Sequence, residues 1–148
     1  PTWTYDKNKL LFTGQDASVQ VLSANKIESP EGQKAVRVHY KLSNTSEETM
    51  NAYTLLMKVV LDVKQEDKEV KVATMVFSQD DDRDKIANKT KIAPKEVKEI
   101  VVDYTVADFD HDLTIDFSDY GTEANATAKV SLRNLEKAPV KYFDKKDK

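Results

Sequence analysis

Apolar and polar residues alternate along most of this chain, and the alternation is clearest from Lys34 to Leu42. There Val36, Val38, Tyr40 and Leu42 fall on one face while Arg37, His39 and Lys41 fall on the other. A period of two describes a β-strand with one side in a core and the other in water. Further runs follow the same rule: Ala17, Val19 and Val21; Val70, Val72, Thr74 and Val76 opposite Lys71, Ala73, Met75 and Phe77; Ile100, Val102, Tyr104 and Val106 opposite Glu99, Asp103 and Thr105; Leu113, Ile115 and Phe117 opposite Thr114, Asp116 and Ser118; Ala128, Val130 and Leu132 opposite Lys129, Ser131 and Arg133. Leu10 to Phe12 adds a possible edge pairing.

Tyr53 to Val63 carries two periods at once. Leu55, Leu56, Val59, Val60 and Val63 have helical spacing, whereas Tyr53, Leu55, Met57, Val59, Leu61 and Val63 alternate without a break. The β-branched content favours a central strand, and that is the reading adopted. Ser78 to Asn88 gathers acids early and Lys85 late, which suits one short surface helix on a connection. The fold class expected is therefore all-β, an antiparallel sandwich of seven to eight strands with at most one short helix, because each one-sided sheet must cover its apolar face with another. Residues 1–143 are read as one such domain and 144–148, Asp-Lys-Lys-Asp-Lys, as a charged C-terminal tail.

Composition narrows the chemistry. Of 148 residues 33% are charged, above the usual ~25%, yet the ordered alternation argues against disorder. There is no Cys, which removes thiol nucleophiles, zinc fingers and disulfide scaffolds. A net charge of −3 speaks against general nucleic-acid binding, and no apolar run approaches the roughly 20 residues of a membrane span. The chain opens with Pro1, so it is read as a processed product whose export signal lies upstream.

An alternating strand running into Leu42-Ser43-Asn44-Thr45-Ser46, a long apolar strand from Tyr53, an acid-rich connection, and Ile92-Ala93-Pro94-Lys95-Glu96 leading into Ile100-Val101-Val102-Asp103-Tyr104 together resemble a known family. It comprises the telokin-like, immunoglobulin-like domains of exported bacterial lipoproteins, mostly from Gram-positive organisms. The likeness covers about residues 10 to 120 and departs from the family where Lys95 replaces the usual Gly. The resemblance implies an immunoglobulin-like sandwich at the cell surface, tethered through a lipid-modified Cys ahead of Pro1. It supplies no catalytic residues.

Few constellations could carry chemistry. Asp108, Asp110 and Asp112, with Ile115 and Asp119 beyond, fall at positions 1, 3, 5, 8 and 12 of a calcium-loop pattern, so these aspartates are the candidate metal ligands and calcium the candidate ion. Leu113 stands where such loops need Gly, and the alternative is a hairpin tip rich in Asp. Asp80, Asp81, Asp82 and Asp84 around Arg83 form a second acidic group, read as solvated helix-start charge. His39 is expected to be exposed on its strand, and His111 sits between two acids without an evident nucleophile. Asn44-Thr45-Ser46, Asn88-Lys89-Thr90 and Asn125-Ala126-Thr127 match the glycosylation pattern but read as turns. Trp3, Tyr5, Tyr142 and Phe143 are expected to pack where the termini meet a sheet edge, with an exposed aromatic patch as the alternative.

The function expected is a non-catalytic extracytoplasmic binding module with a protein or glycan partner and no nucleic acid. A calcium-binding sandwich is the first alternative. A hydrolase is the last, since paired carboxylates must face each other roughly 5–9 Å apart.

Overall fold

The alternating segments pair into two sheets that bury their apolar faces against each other. The computed structural model describes residues 3–73, 79–80, 82–138 and 140–141, with 79–80 and 140–141 as backbone only. In chain order the elements are β1 (Thr4–Asp6), β2 (Leu11–Thr13), β3 (Ala17–Glu28), β4 (Lys34–Asn44), β5 (Met50–Asn51), α1 (Ala52–Leu56), β6 (Val60–Gln65), β7 (Lys68–Glu69), β8 (Gln79–Asp80), β9 (Lys91–Ile92), β10 (Val97–Thr105), β11 (Leu113–Phe117), β12 (Ala126–Val130) and β13 (Val140–Lys141). A five-stranded sheet runs β1-β2-β3-β4-β10 and a four-stranded sheet β12-β11-β6-β7. All these pairings are antiparallel. Two short ribbons, β5 with β9 and β8 with β13, complete the described pairings. The all-β sandwich is thus the observed architecture. Its sheets hold more strands than the periodicity predicts, because β1 and β7 are too short to display an alternation.

One apolar core joins the sheets. Val19, Val36, Val38, Tyr40, Leu42, Ile100 and Val102 from the larger sheet meet Val60, Val63, Leu113, Ile115, Phe117 and Ala128 from the smaller. Phe12 of β2 stacks on Phe117 of β11 with ring centres 5.4 Å apart, which ties the two layers directly. Trp3 stacks on Phe12 at 5.9 Å and Tyr5 lies against Phe117 at 5.6 Å. These two N-terminal aromatics therefore extend the core, and the exposed-patch alternative does not apply to them; Tyr142, Phe143 and the tail 144–148 lie outside the described residues. Tyr40 and Tyr104 are both buried, and their hydroxyls satisfy one another at 2.9 Å. Burial pushes both phenols above their ordinary range.

Tyr53 to Val63 is not one strand. Asn51 Oδ1 accepts the Tyr53 and Thr54 amides, a good N-cap that starts α1. After the helix, Val60 enters β6. The buried residues are Leu55, Leu56, Val59, Val60 and Val63, whereas Met57, on the alternating list, is exposed. Helical and alternating periods coincide at 55, 59 and 63, so positions 53, 56, 57, 60 and 61 distinguish them. Ser78–Asn88 likewise does not form one helix over its described part. Gln79–Asp80 is a strand, and 3-10 turns follow at Arg83–Lys85 and Ala87–Lys89. Of the predicted Val70–Val76 run, Val72 makes a single bridge to Tyr104, and residues 74–76 lie outside the described residues.

The turns that suggested the family touch each other. Asn44, fully buried, donates its side-chain amide to the Glu48 and Ile92 carbonyls at 2.8 and 2.9 Å. Its Oδ1 accepts from the Ser46 amide and hydroxyl. The amides of Asn44 and Lys95 donate to the Glu96 and Asn44 carbonyls. Asn44 is therefore a latch between the end of β4 and the turn before β10, in keeping with the turn reading of its Asn-Thr-Ser triplet.

Candidate functional site

A β-bulge in β3 places the most concentrated polar cluster. Between Val21 and Ser23 the pairing with β4 slips by one residue, with Leu22 as the extra one. Val21 shares the core face with Tyr40, but after the slip Ser23, Asn25 and Ile27 pair with His39, Arg37 and Ala35. The side chains of β3 therefore change faces midway. Asn25, Arg37 and Asp103 form one row across β3, β4 and β10 on the face away from the main core.

Arg37 departs most from expectation. Its place in the alternation puts it in water, yet it is 0% exposed. Its guanidinium grips Asp103 bidentately, Nε to Oδ1 at 2.7 Å and Nη2 to Oδ2 at 2.9 Å, and Nη1 reaches Asp82 Oδ2 at 3.2 Å. The planar fork of arginine matches a carboxylate in this way, and the two acids balance a cation held out of water. Asp82 is a buried residue of the connection that carries β8 and the 3-10 turns. It is a packing partner, not a solvated helix-start charge. Asp84 is exposed, while Asp81 and the side chain of Asp80 lie outside the described residues.

His39 is half-buried beside this row, where exposure was expected. Its Nε2 donates to Asn25 Oδ1 at 2.7 Å, and Asn25 Nδ2 donates to the Glu136 carbonyl at 3.4 Å. Burial lowers the imidazole pKa, with Arg37 and Lys85 acting the same way and Asp82 and Asp103 opposing. Ser23 is paired with His39 in register, but no hydrogen bond joins their side chains among the described residues. Residues 136–138 run parallel to β3 at Lys26 and flank the row. Beside them Ile27, Ala35 and Ala138 form a small second apolar cluster.

The acidic loop lies with the other sheet. Asp108 Oδ1 accepts the Asp110 and His111 amides, and its carboxylate receives His111 Nδ1 at 3.0 Å. His111 Nε2 pairs with Glu66. Asp108 raises the His111 pKa, and His111 in return holds Asp108 below the usual carboxylate value. Gln65 of β6 closes the loop: its Nε2 donates to the Asp108 and His111 carbonyls, and its Oε1 accepts the Ala107 amide. Asp110 and Asp112 are exposed. Leu113–Phe117 forms β11, so Asp119 stands at its far end, where its Oδ1 accepts the Gln15 amide at 3.1 Å. There Gly14 passes so close that a Cβ would come within 2.6 Å of Asp119 Oδ1. Among the described residues no group of three or more His, Asp or Glu is placed to hold a metal ion. The two acidic groups belong to different sheets, Asp82 to β4 and β10 through Arg37 and Asp108 to β6 through Gln65.

Sequence reasoning missed Arg37, Asp103 and Asn25. Arg37 and Asp103 carry one signal, an outward phase of their strands, whereas Asn25 continues the inward phase of Ala17, Val19 and Val21 until the bulge reverses it. Nothing in the chain shows that residues 66 positions apart meet across a ladder.

No curated protein matches the chain. Among solved structures, one described as a "putative lipoprotein" from Staphylococcus aureus subsp. aureus NCTC 8325 superposes with a TM-score of 0.77 at 10% identity, covering 96% of this chain and 98% of that one. An NMR structure of a protein from Enterococcus faecalis gives a TM-score of 0.70 at 19% identity, over 87% of this chain and 92% of that one. At these identities the likeness is one of fold. No helix among the described residues is long and apolar enough to cross a membrane. Residues 1–119, from β1 through β11, match the family described as "Domain of unknown function (DUF5067)", and the chain belongs to that family.

Proposed function

We propose that this chain is a non-catalytic extracytoplasmic interaction module, an immunoglobulin-like, telokin-like sandwich carried by a cell-surface lipoprotein and presented to a protein or glycan partner. The observation that carries the reading is the commitment of its polar side chains to internal bonds. Arg37 is locked to Asp103 and Asp82, His39 to Asn25, His111 to Asp108 and Glu66, and Asn44 to four backbone and hydroxyl groups. Such groups hold a shape; a reaction centre keeps a nucleophile within reach of its base. The description of the Staphylococcus aureus neighbour supports the cellular setting.

Protease shaving tests the setting. Intact producing cells treated with a protease that does not cross membranes lose the protein from immunoblots, and it stays in the membrane pellet after a salt wash until detergent is added. Full protection until the cells are lysed overturns the reading.

A further inference from the structure

The outward face of the four-stranded sheet holds two carboxyl groups opposed across the ladder, with one lysine to serve both. Asp62 of β6 and Asp116 of β11 are direct register partners on neighbouring antiparallel strands, where opposed side chains have Cβ atoms about 4.5–5.5 Å apart and like charges destabilise the pair. Both are largely withdrawn from solvent, with side chains 18% and 15% exposed. The same face presents Lys64 on β6, Glu69 on β7, Thr114 on β11, and Thr127 and Lys129 on β12. Lys64 Nζ lies 3.7 Å from each aspartate, too far for a tight ion pair with either, and it is a third exposed. Glu69 adds a further negative charge.

The two acids differ in what serves them. Asp116 Oδ1 receives the Thr127 hydroxyl at 2.6 Å. Asp62 Oδ1 is shielded from solvent and has no hydrogen-bond partner. An ionised carboxylate with an acceptor buried in this way is costly, whereas a protonated one gains a donor that its neighbour can use.

We infer that Asp62 and Asp116 hold a single shared proton between β6 and β11, with the proton on Asp62 and the charge on Asp116, so that this sheet loosens as the proton leaves. Burial and then the Asp116 neighbour push Asp62 up to about 6, which places the loss close to neutrality. Burial opposes ionisation of Asp116, but hydrogen bonds from Asp62 and Thr127 together with the Lys64 charge overcome it and keep that carboxyl below its usual value. Because Asp62 binds its proton more tightly folded than unfolded, its stabilising effect is complete below pH 3.8 and disappears as the pH rises through about 6. Asp116 acts oppositely, and only at lower pH.

The test compares melting temperatures of the protein and its Asp62→Asn variant from pH 4.5 to 8. Asn donates permanently to Asp116 and cannot ionise. The variant is expected to melt within a degree or so of the parent near pH 4.5 and about 3–6 °C higher at pH 8. A difference that stays constant over that range overturns the proposal. Carboxyl-carbon NMR of the unaltered protein reads the proton directly, whether or not the variant folds. An Asp62 midpoint near 6 supports the shared proton, and one near 4 overturns it.

Discussion

Two histidines of one chain are driven to opposite sides of the ordinary imidazole value by their surroundings. His39 loses solvent on the outer face of β4, and burial disfavours its cation. His111 stands in water between Asp108 and Glu66, and the carboxylates favour its cation. Since these are the only imidazoles in the sequence, a proton NMR titration resolves both. The His111 midpoint is expected above 6.5 and the His39 midpoint below it, and Asp108→Asn should bring His111 down while leaving His39 in place. Coincident midpoints would contradict the assignment. The linkage signs oppose each other. The His111 contribution is present below pH 6.5 and fades as pH rises through its folded value, whereas the His39 contribution is present above 6.5 and is lost on acidification. Neither environment is visible in the sequence. His111 between Asp110 and Asp112 suggests acidic company, but its partners are Asp108 and Glu66. His39 has a polar position in its strand, yet it is half-buried beside Asn25 and the Arg37 cluster.

At the scale of elements, hydrophobic period identified strands wherever one face is core and the other polar, as in β4, β10 and β11. It failed at α1 because helical and strand periods share every fourth position, and the Asn51 cap decided between them. The turn before β10 illustrates a different limit. Ala93 to Glu96 closes with the Glu96 amide on the Ala93 carbonyl, Pro94 second and Lys95 third at φ +68°. That is the pattern of a type II turn, which wants glycine at the third place. The Lys95 anomaly noticed in the sequence is therefore a strained residue in a turn that keeps its shape, its amide tied to the Asn44 carbonyl. Lys95→Gly is expected to stabilise the protein by about 0.5–1 kcal/mol, the left-handed strain relieved less the chain entropy added. A urea melt showing destabilisation would mean that the lysine side chain contributes more than the strain costs.

At the scale of the whole molecule, the Arg37 cluster fastens the connection bearing Asp82 to the larger sheet. Removing the cation leaves two carboxylates buried without it, so Arg37→Met should cost about 3–5 kcal/mol in chemical denaturation. Changing Asp82 and Asp103 to Leu together with it should recover most of that loss, because the penalty lies in charge left unbalanced. A single-variant cost below about 1 kcal/mol would show that Arg37 fastens nothing.

What the sequence determined by itself was the sandwich and the turns that bound its strands, because alternation and turn chemistry act between residues a few positions apart. The acidic segment 108–112 was legible as a polar loop, and its closure by Gln65 was not. Tertiary structure alone decided the Asn25–Arg37–Asp103 row, the opposition of Asp62 and Asp116, and the separation of Asp119 from the aspartates it seemed to accompany. The row depends on the bulge at Leu22, and the two aspartate placements on the register and length of β6 and β11. A register shift of a single residue turns every side chain of a strand to the other face, and no local pattern in the chain encodes which distant strand will lie alongside.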